Sequence, residues 1–149
     1  MVIQWPPSKR SRKNYIWWHE FSTRWGDNDM YGHVNHIIYF SIFDTVVNYY
    51  LIKNAGFDPV TSEHLGVTPD SRCCYYESIK YPATVDVGIV VKKIGNSSIT
   101  YEIGVFKKDL EVVCAIGHFV HVYVDRNCQS KTVSIPKNIK EACKKILRI

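Results

Sequence analysis

The chain contains no stretch approaching the roughly 18 apolar residues that a membrane-crossing helix needs, no internal repeat and no low-complexity segment. It lacks any Cys-x-x-Cys pair. Its cysteines, Cys73, Cys74, Cys114, Cys128 and Cys143, are odd in number and two are adjacent, so a disulfide framework is not expected and a reducing compartment fits best. No Gly-x-Ser-x-Gly turn is present, which removes the nucleophile elbow of serine hydrolases. Acidic residues are missing from the first 13 positions, which carry Lys9, Arg10, Arg12 and Lys13. The Pro6-Pro7 pair argues against an amphipathic leader helix there, so a cytoplasmic location is expected, with mitochondrial import as the alternative.

What remains is ordinary globular composition: 149 residues, 46% apolar and 22% charged. A chain of this length buries roughly 68–70% of its unfolded surface and needs no metal to fold. One domain is expected over residues 15–149, preceded by a basic tail at 1–14. The net charge of +5 is largely terminal, since Lys140, Lys144, Lys145 and Arg148 balance the basic run at the other end. Such ends read as solvated tails or as a footprint for an anionic partner, and no nucleic-acid motif accompanies them.

From Tyr15 the segment IWWHEFSTRW alternates, with Trp17, Phe21 and Trp25 on one face, as a half-exposed strand should. GDNDMYGHVN, rich in turn formers, predicts an irregular loop. A helix over 36–55 follows. Its polar residues Ser41, Asp44, Thr45 and Asn48 form one narrow stripe, which predicts a mostly enclosed helix, and Gly56 supplies the C′ residue that ends it. Residues 57–72, with Pro59, Gly66 and Pro69, read as a connection. Strands are predicted over 74–81, 83–94, 97–108 and 111–125, the last three forming an antiparallel meander, with a short amphipathic helix over 136–146. A buried helix followed by an antiparallel run is an α+β arrangement, a sheet curled around one central helix.

The pattern Asp-x-Asp-x-x-Gly-His-Val-Asn-x-x-x-Tyr at residues 27–39, followed by a long apolar helix, resembles the 4-hydroxybenzoyl-CoA thioesterase-like family of hotdog-fold proteins. Tyr81-Pro82, GNSSITYEI and AIGHFVHVYVD resemble that family's later segments. The resemblance spans about Tyr15 to Pro136. It implies a hydrolase cleaving an acyl thioester of coenzyme A or of acyl carrier protein, with no cofactor beyond coenzyme A as part of the substrate. It also implies a homodimer, often paired into tetramers, with sites at the subunit interface and the strand at 83–94 or 111–125 pairing across the two-fold axis.

The chemistry the resemblance implies has a physical basis at this loop. A thioesterase must polarise a carbonyl and supply a nucleophile or an activated water. The first amides of a helix lack intrahelical partners and carry the positive end of its dipole, so the helix start at 36 can receive an oxyanion. Gly32 permits a left-handed turn at its entry. By resemblance, Asp29 is the catalytic carboxylate, as nucleophile or general base, while Asp27 is a turn residue. His36 matches the position of a second catalytic residue in some branches, and its alternative role is a helix-start histidine bonded to backbone. His33 and Asn35 match a triplet that fixes the loop. Tyr39 and Asp44 match helix residues of the family, Tyr39 otherwise being core and Asp44 a solvated or interface carboxylate. Asn96, Ser97 and Ser98 match a strand start where relatives contact coenzyme A, but here the segment departs from the basic cluster of some members, having only Lys92 and Lys93 upstream. A non-catalytic acyl-binding protein is the rival reading. A metal site is not expected: His118 and His121, three apart in a strand, point to opposite faces.

Overall fold

A computed structural model describes residues 2–149. Its chain order is β1 (Trp17–Ser22), α1 (His36–Ala55), β2 (His64–Tyr75), β3 (Thr84–Ile94), β4 (Ser98–Lys107), β5 (Val113–Asp125) and α2 (Lys137–Lys144). The strands form one antiparallel sheet in the order β1-β3-β4-β5-β2. This is the hotdog arrangement, α1 lying along one face of the sheet. No helix among the described residues is long and apolar enough to cross a membrane.

The alternation of strand side chains divides the interior. Val87, Ile89 and Val91 of β3, with Tyr101, Ile103 and Val105 of β4, face α1 and pack against Phe43, Val46, Val47 and Tyr50. Val90, Phe106 and Ile116 point to the other face, where Tyr15 and Trp18 cover them in a second, smaller cluster. Helix α1 ends as its sequence dictates, with Gly56 in the left-handed conformation at φ 65° and its N–H donating to the Leu51 carbonyl. It is less enclosed than its narrow polar stripe predicts: Ile37, Tyr49 and Ile52 are exposed beside the polar residues. The sheet covers one side of the helix and α2 packs beside it, Tyr50 donating its hydroxyl to the Ala142 carbonyl at 2.6 Å, while the remaining side stays open.

Several predicted boundaries shift. Residues 64–72 belong to β2 instead of a connection, and the strand predicted over 74–81 stops at Tyr75. Pro69 is tolerated because β2 is an edge strand and its register slips between Val67 and Asp70. Strand β1 ends at Ser22, so Trp25 lies exposed in a 3-10 turn rather than on the strand's apolar face. The two strands expected to pair across a two-fold axis, β3 and β5, are both interior to the sheet, each with neighbours on both sides. Over β5 and over Thr84–Ile89 of β3 a partner strand has no hydrogen-bonding edge to meet. The longest free edge is that of β2.

The basic segment expected to be a solvated tail lies against the outer face of the sheet. Arg10 makes two hydrogen bonds to the buried Glu102, and Arg12 pairs with Asp86 while stacking over Trp18 and Phe106.

Candidate functional site

The loop between β1 and α1 is built on Asp27. This carboxylate is only 1% exposed, and it accepts hydrogen bonds from the backbone N–H of Arg24 and from the Arg24 guanidinium, Nε and Nη2, at 2.7–3.1 Å. Its backbone carbonyl accepts from the Asn35 N–H at 2.8 Å. Asp27 is therefore the turn residue expected, fixing the point at which the chain enters the helix. Asn28 adds a second tie: its side-chain oxygen accepts from Tyr81 N–H at 3.1 Å and its amide donates to the Gly32 carbonyl at 3.4 Å.

Between these anchors the chain folds back on itself. Asn28 and Val34 form an antiparallel bridge, Asp29 N–H donates to His33 C=O at 2.9 Å, and Gly32 N–H donates to Asp29 C=O at 3.1 Å. The reversal puts Gly32 at φ 82°, a left-handed conformation that glycine adopts at little cost. One oxygen of the Asp29 carboxylate, Oδ1, accepts from the Tyr31 N–H at 2.9 Å. Asp29 is half-buried, and its Oδ2 has no hydrogen-bond partner among the described residues.

Asn35 is the N-cap of α1, its side-chain oxygen accepting from Ile37 N–H at 3.3 Å. The amide of His36, first in the helix, makes no hydrogen bond to a described residue. A cavity of about 230 Å³ opens at this helix start, lined by Val34, His36, Tyr39, Tyr75, Tyr76, Glu77 and Ser78. Tyr75 donates its hydroxyl to the His36 carbonyl at 3.1 Å, and its ring meets the buried Tyr39 edge-on. Burial raises the Tyr39 phenol above its usual range and pushes the neighbouring Cys73 thiol up to about 12. No thiolate nucleophile forms here near neutral pH.

The structure gathers some predicted site residues and separates others. Asp29, Gly32, His33, Asn35, His36 and Tyr39 lie in one loop and helix start. Asp44 sits on the exposed side of α1, about 12 Å farther along the axis than His36. Its carbonyl and Oδ1 accept from the Asn48 amide. Asn96, Ser97 and Ser98 belong to the β3–β4 hairpin, the length of β3 away from the Asp29 loop, roughly 33 Å. That hairpin is tied to its own chain, Ser97 C=O accepting from Tyr123 N–H and Asn96 C=O from Ile135 N–H. Sequence reasoning missed Tyr75, Tyr76 and Glu77 because it ran a strand through them. It also passed over Asn28, whose place between two aspartates in a turn-rich segment was the available signal. His118 and His121 do face opposite sides of the sheet: His118 meets Trp5 and Asp70, whereas His121 packs among Tyr101, Phe119 and Tyr123.

The thioesterase-like superfamily model matches residues 23–143, from the Asp27 loop to the end of α2. The chain belongs to the thioesterase-like superfamily. It is thus a thioester hydrolase by family, and the family match begins at the loop just described. Among solved structures, the PA5185 protein of Pseudomonas aeruginosa is 38% identical, with 93% of this chain and 96% of that chain covered and a TM-score of 0.91. The DHNA-CoA thioesterase of Staphylococcus aureus shares the fold at 21% identity, with 87% and 89% covered and a TM-score of 0.76. So does the SAV2348 protein of Staphylococcus aureus, solved in complex with CoA, at 13% identity, with 95% and 88% covered and a TM-score of 0.79. No curated protein matches this chain.

Proposed function

We propose that this thioesterase hydrolyses acyl-CoA, with Asp29 as its carboxylate and the His36 amide as the donor that receives the oxyanion. The observation that carries the reading is the joining of these two groups in one hydrogen-bonded loop. Asp27 and Asn28 brace it, Asp29 keeps one carboxylate oxygen unengaged, and a free helix amide stands beside a cavity with an aromatic wall. A substrate carbonyl at the helix start would develop negative charge against that amide and the positive end of the helix dipole. Asp29 then either removes a proton from an attacking water, the tetrahedral intermediate collapsing to acid and thiolate as the C–S bond breaks, or attacks the carbonyl carbon itself, C–S cleavage leaving a mixed anhydride that water hydrolyses to release the acid and restore the carboxylate. His36 lines the cavity, and its imidazole supplies the proton to the leaving thiolate.

The site faces outward in a single chain, which supports a homodimer. Trp25, Met30, Tyr31 and Ile37, all large and apolar, are exposed around it. The free edge of β2 offers a long backbone ladder for a second copy. Antiparallel self-pairing there sets the far end of one sheet beside the near end of the other. It carries the 95–98 hairpin of the second copy, with Lys92 and Lys93 upstream, to the end that holds the Asp29 loop, where the coenzyme A moiety would lie. Dimers of this kind can pair further into tetramers.

The test is thiol release from a panel of aliphatic and aromatic acyl-CoAs. Turnover by the natural chain that falls on the order of 100-fold in Asp29→Asn supports the reading. Release from acyl carrier protein esters alone would reassign the carrier. Binding of acyl-CoA with no release from either would identify an acyl-binding protein instead.

A further inference from the structure

The cavity's outer wall has an unexpected support. After β2 ends at Tyr75, residues 76–78 turn across the mouth of the cavity and contribute three of its lining residues. On the inner side this turn is held by backbone bonds: Tyr76 and Glu77 both donate to the Cys114 carbonyl, and Ile79 C=O accepts from Val34 N–H. On the outer side it meets the N-terminal segment. The Tyr76 hydroxyl donates to the Pro7 carbonyl at 3.3 Å, and Pro7 is buried. Two residues earlier, Trp5 rests on the ring of His118, 5.7 Å between centroids, with the Arg72 guanidinium 6.0 Å from its own ring. Three residues later, Arg10 closes its two hydrogen bonds on Glu102.

These contacts follow one row of the sheet. Glu102, His118 and Arg72 are cross-strand neighbours on β4, β5 and β2. A glutamate in the middle of a sheet face is costly to cover unless a cation comes with the cover, and Arg10 is that cation. Residues 5–10 therefore form a fitted strip, charge-matched at one end and aromatic at the other, with Tyr76 between.

We infer that the N-terminal segment is a strap that sets the outer wall of the acyl cavity, with Tyr76 as the positioning residue through which it acts. The inference rests on the proposed function for its kinetic consequence and is independent of it for its structural one. The strap fixes where the ring of Tyr76 stands, and so the width of the cavity mouth beside His36 and Tyr39. Coupling of this kind is reciprocal: a filled cavity holds the strap down, and a docked strap favours filling.

Two variants test it, deletion of residues 2–9 and Tyr76→Phe, the second keeping the ring and removing only the hydroxyl. In the unliganded proteins, amide hydrogen exchange over residues 76–79 should quicken about 5-fold or more in both, while the amides of β3 and β4 stay unchanged. Exchange unaltered at 76–79 in both variants would overturn the strap. In turnover assays KM for acyl-CoA should rise about 5-fold with kcat within about 2-fold of the natural chain, the signature of binding lost equally from the ground and transition states. A fall in kcat at constant KM would overturn the positioning role. If no acyl-CoA is turned over by the natural chain, the proposed function fails, and the exchange measurement still decides the strap.

Discussion

Arg10 and Glu102 stand 92 positions apart in the chain and meet in a bidentate ion pair on the outer face of the sheet, Nε and Nη2 each 3.0 Å from a carboxylate oxygen. Glu102 is 6% exposed, so its charge depends on that partner for hydrogen bonding. Arg10→Ala should cost about 2 kcal/mol or more, because it strands a covered carboxylate. Adding Glu102→Gln to Arg10→Ala should recover part of that loss. Denaturant titration of the two variants checks both outcomes, and a double variant as unstable as Arg10→Ala would contradict the account.

The two aspartates of the loop should separate cleanly under substitution. Asp29→Asn keeps an oxygen for the Tyr31 N–H and should leave the thermal midpoint within about 2 °C while abolishing most turnover. Asp27→Asn replaces one acceptor oxygen with a donor that faces the Arg24 amide and guanidinium, so it should lower the midpoint and reduce turnover together. Differential scanning calorimetry beside the thiol-release assay tests the pair.

Phe43 of α1 lies so close to β5 that a Cβ on Gly117 would fall 2.6 Å from its ring. Gly117→Ala should therefore cost about 1–3 kcal/mol by pushing the helix off the sheet. Phe43→Leu in the same chain should relieve part of the strain, giving a double variant more stable than the sum of the single losses. Equilibrium unfolding of the four chains closes the cycle.

His121 sets a pH dependence. Burial among aromatic rings lowers its imidazole from the ordinary 6.5 to about 4, and its Nδ1 has no hydrogen-bond partner. The folded chain thus binds this proton less readily than the unfolded one. Its stability is intact above pH 6.5 and declines as pH falls toward 4, by roughly 3 kcal/mol in all. The His121→Phe chain should show a shallower decline between pH 6.5 and 4. An identical slope in both chains would remove His121 as the cause.

The central helix, its glycine cap and the three-strand meander were legible because each rests on local pattern: a 3.6-residue stripe, a C′ glycine, two short turns. Strand β2 was not, since Pro69 breaks a central strand and is admitted here by an edge position and a register slip, while Gly66 is a strand residue packed against the His121 ring rather than a turn. The same error hid Tyr75, Tyr76 and Glu77, because a strand drawn through them leaves no turn to form a wall. At the site, the motif located the Asp29 loop and the helix start, while the roles of Asn28 and Arg24 depend on contacts across the fold. The N-terminal run looked solvated because its cations have no acidic neighbours in sequence. Their partners, Asp86 and Glu102, arrive only when the sheet assembles.

Beyond the start of β1, the exposed side of β3 is taken up by the chain's own C-terminus: Val91 N–H donates to Ile146 C=O, and Arg148 N–H donates to Val91 C=O. The remaining outer border on that side is the six-residue β1. Lateral growth of the sheet therefore has one long template, β2, and one short border, β1. In the proposed dimer, pairing of two copies along β2 would consume the template, so that the assembly would terminate as a closed pair instead of adding strands into a fibre.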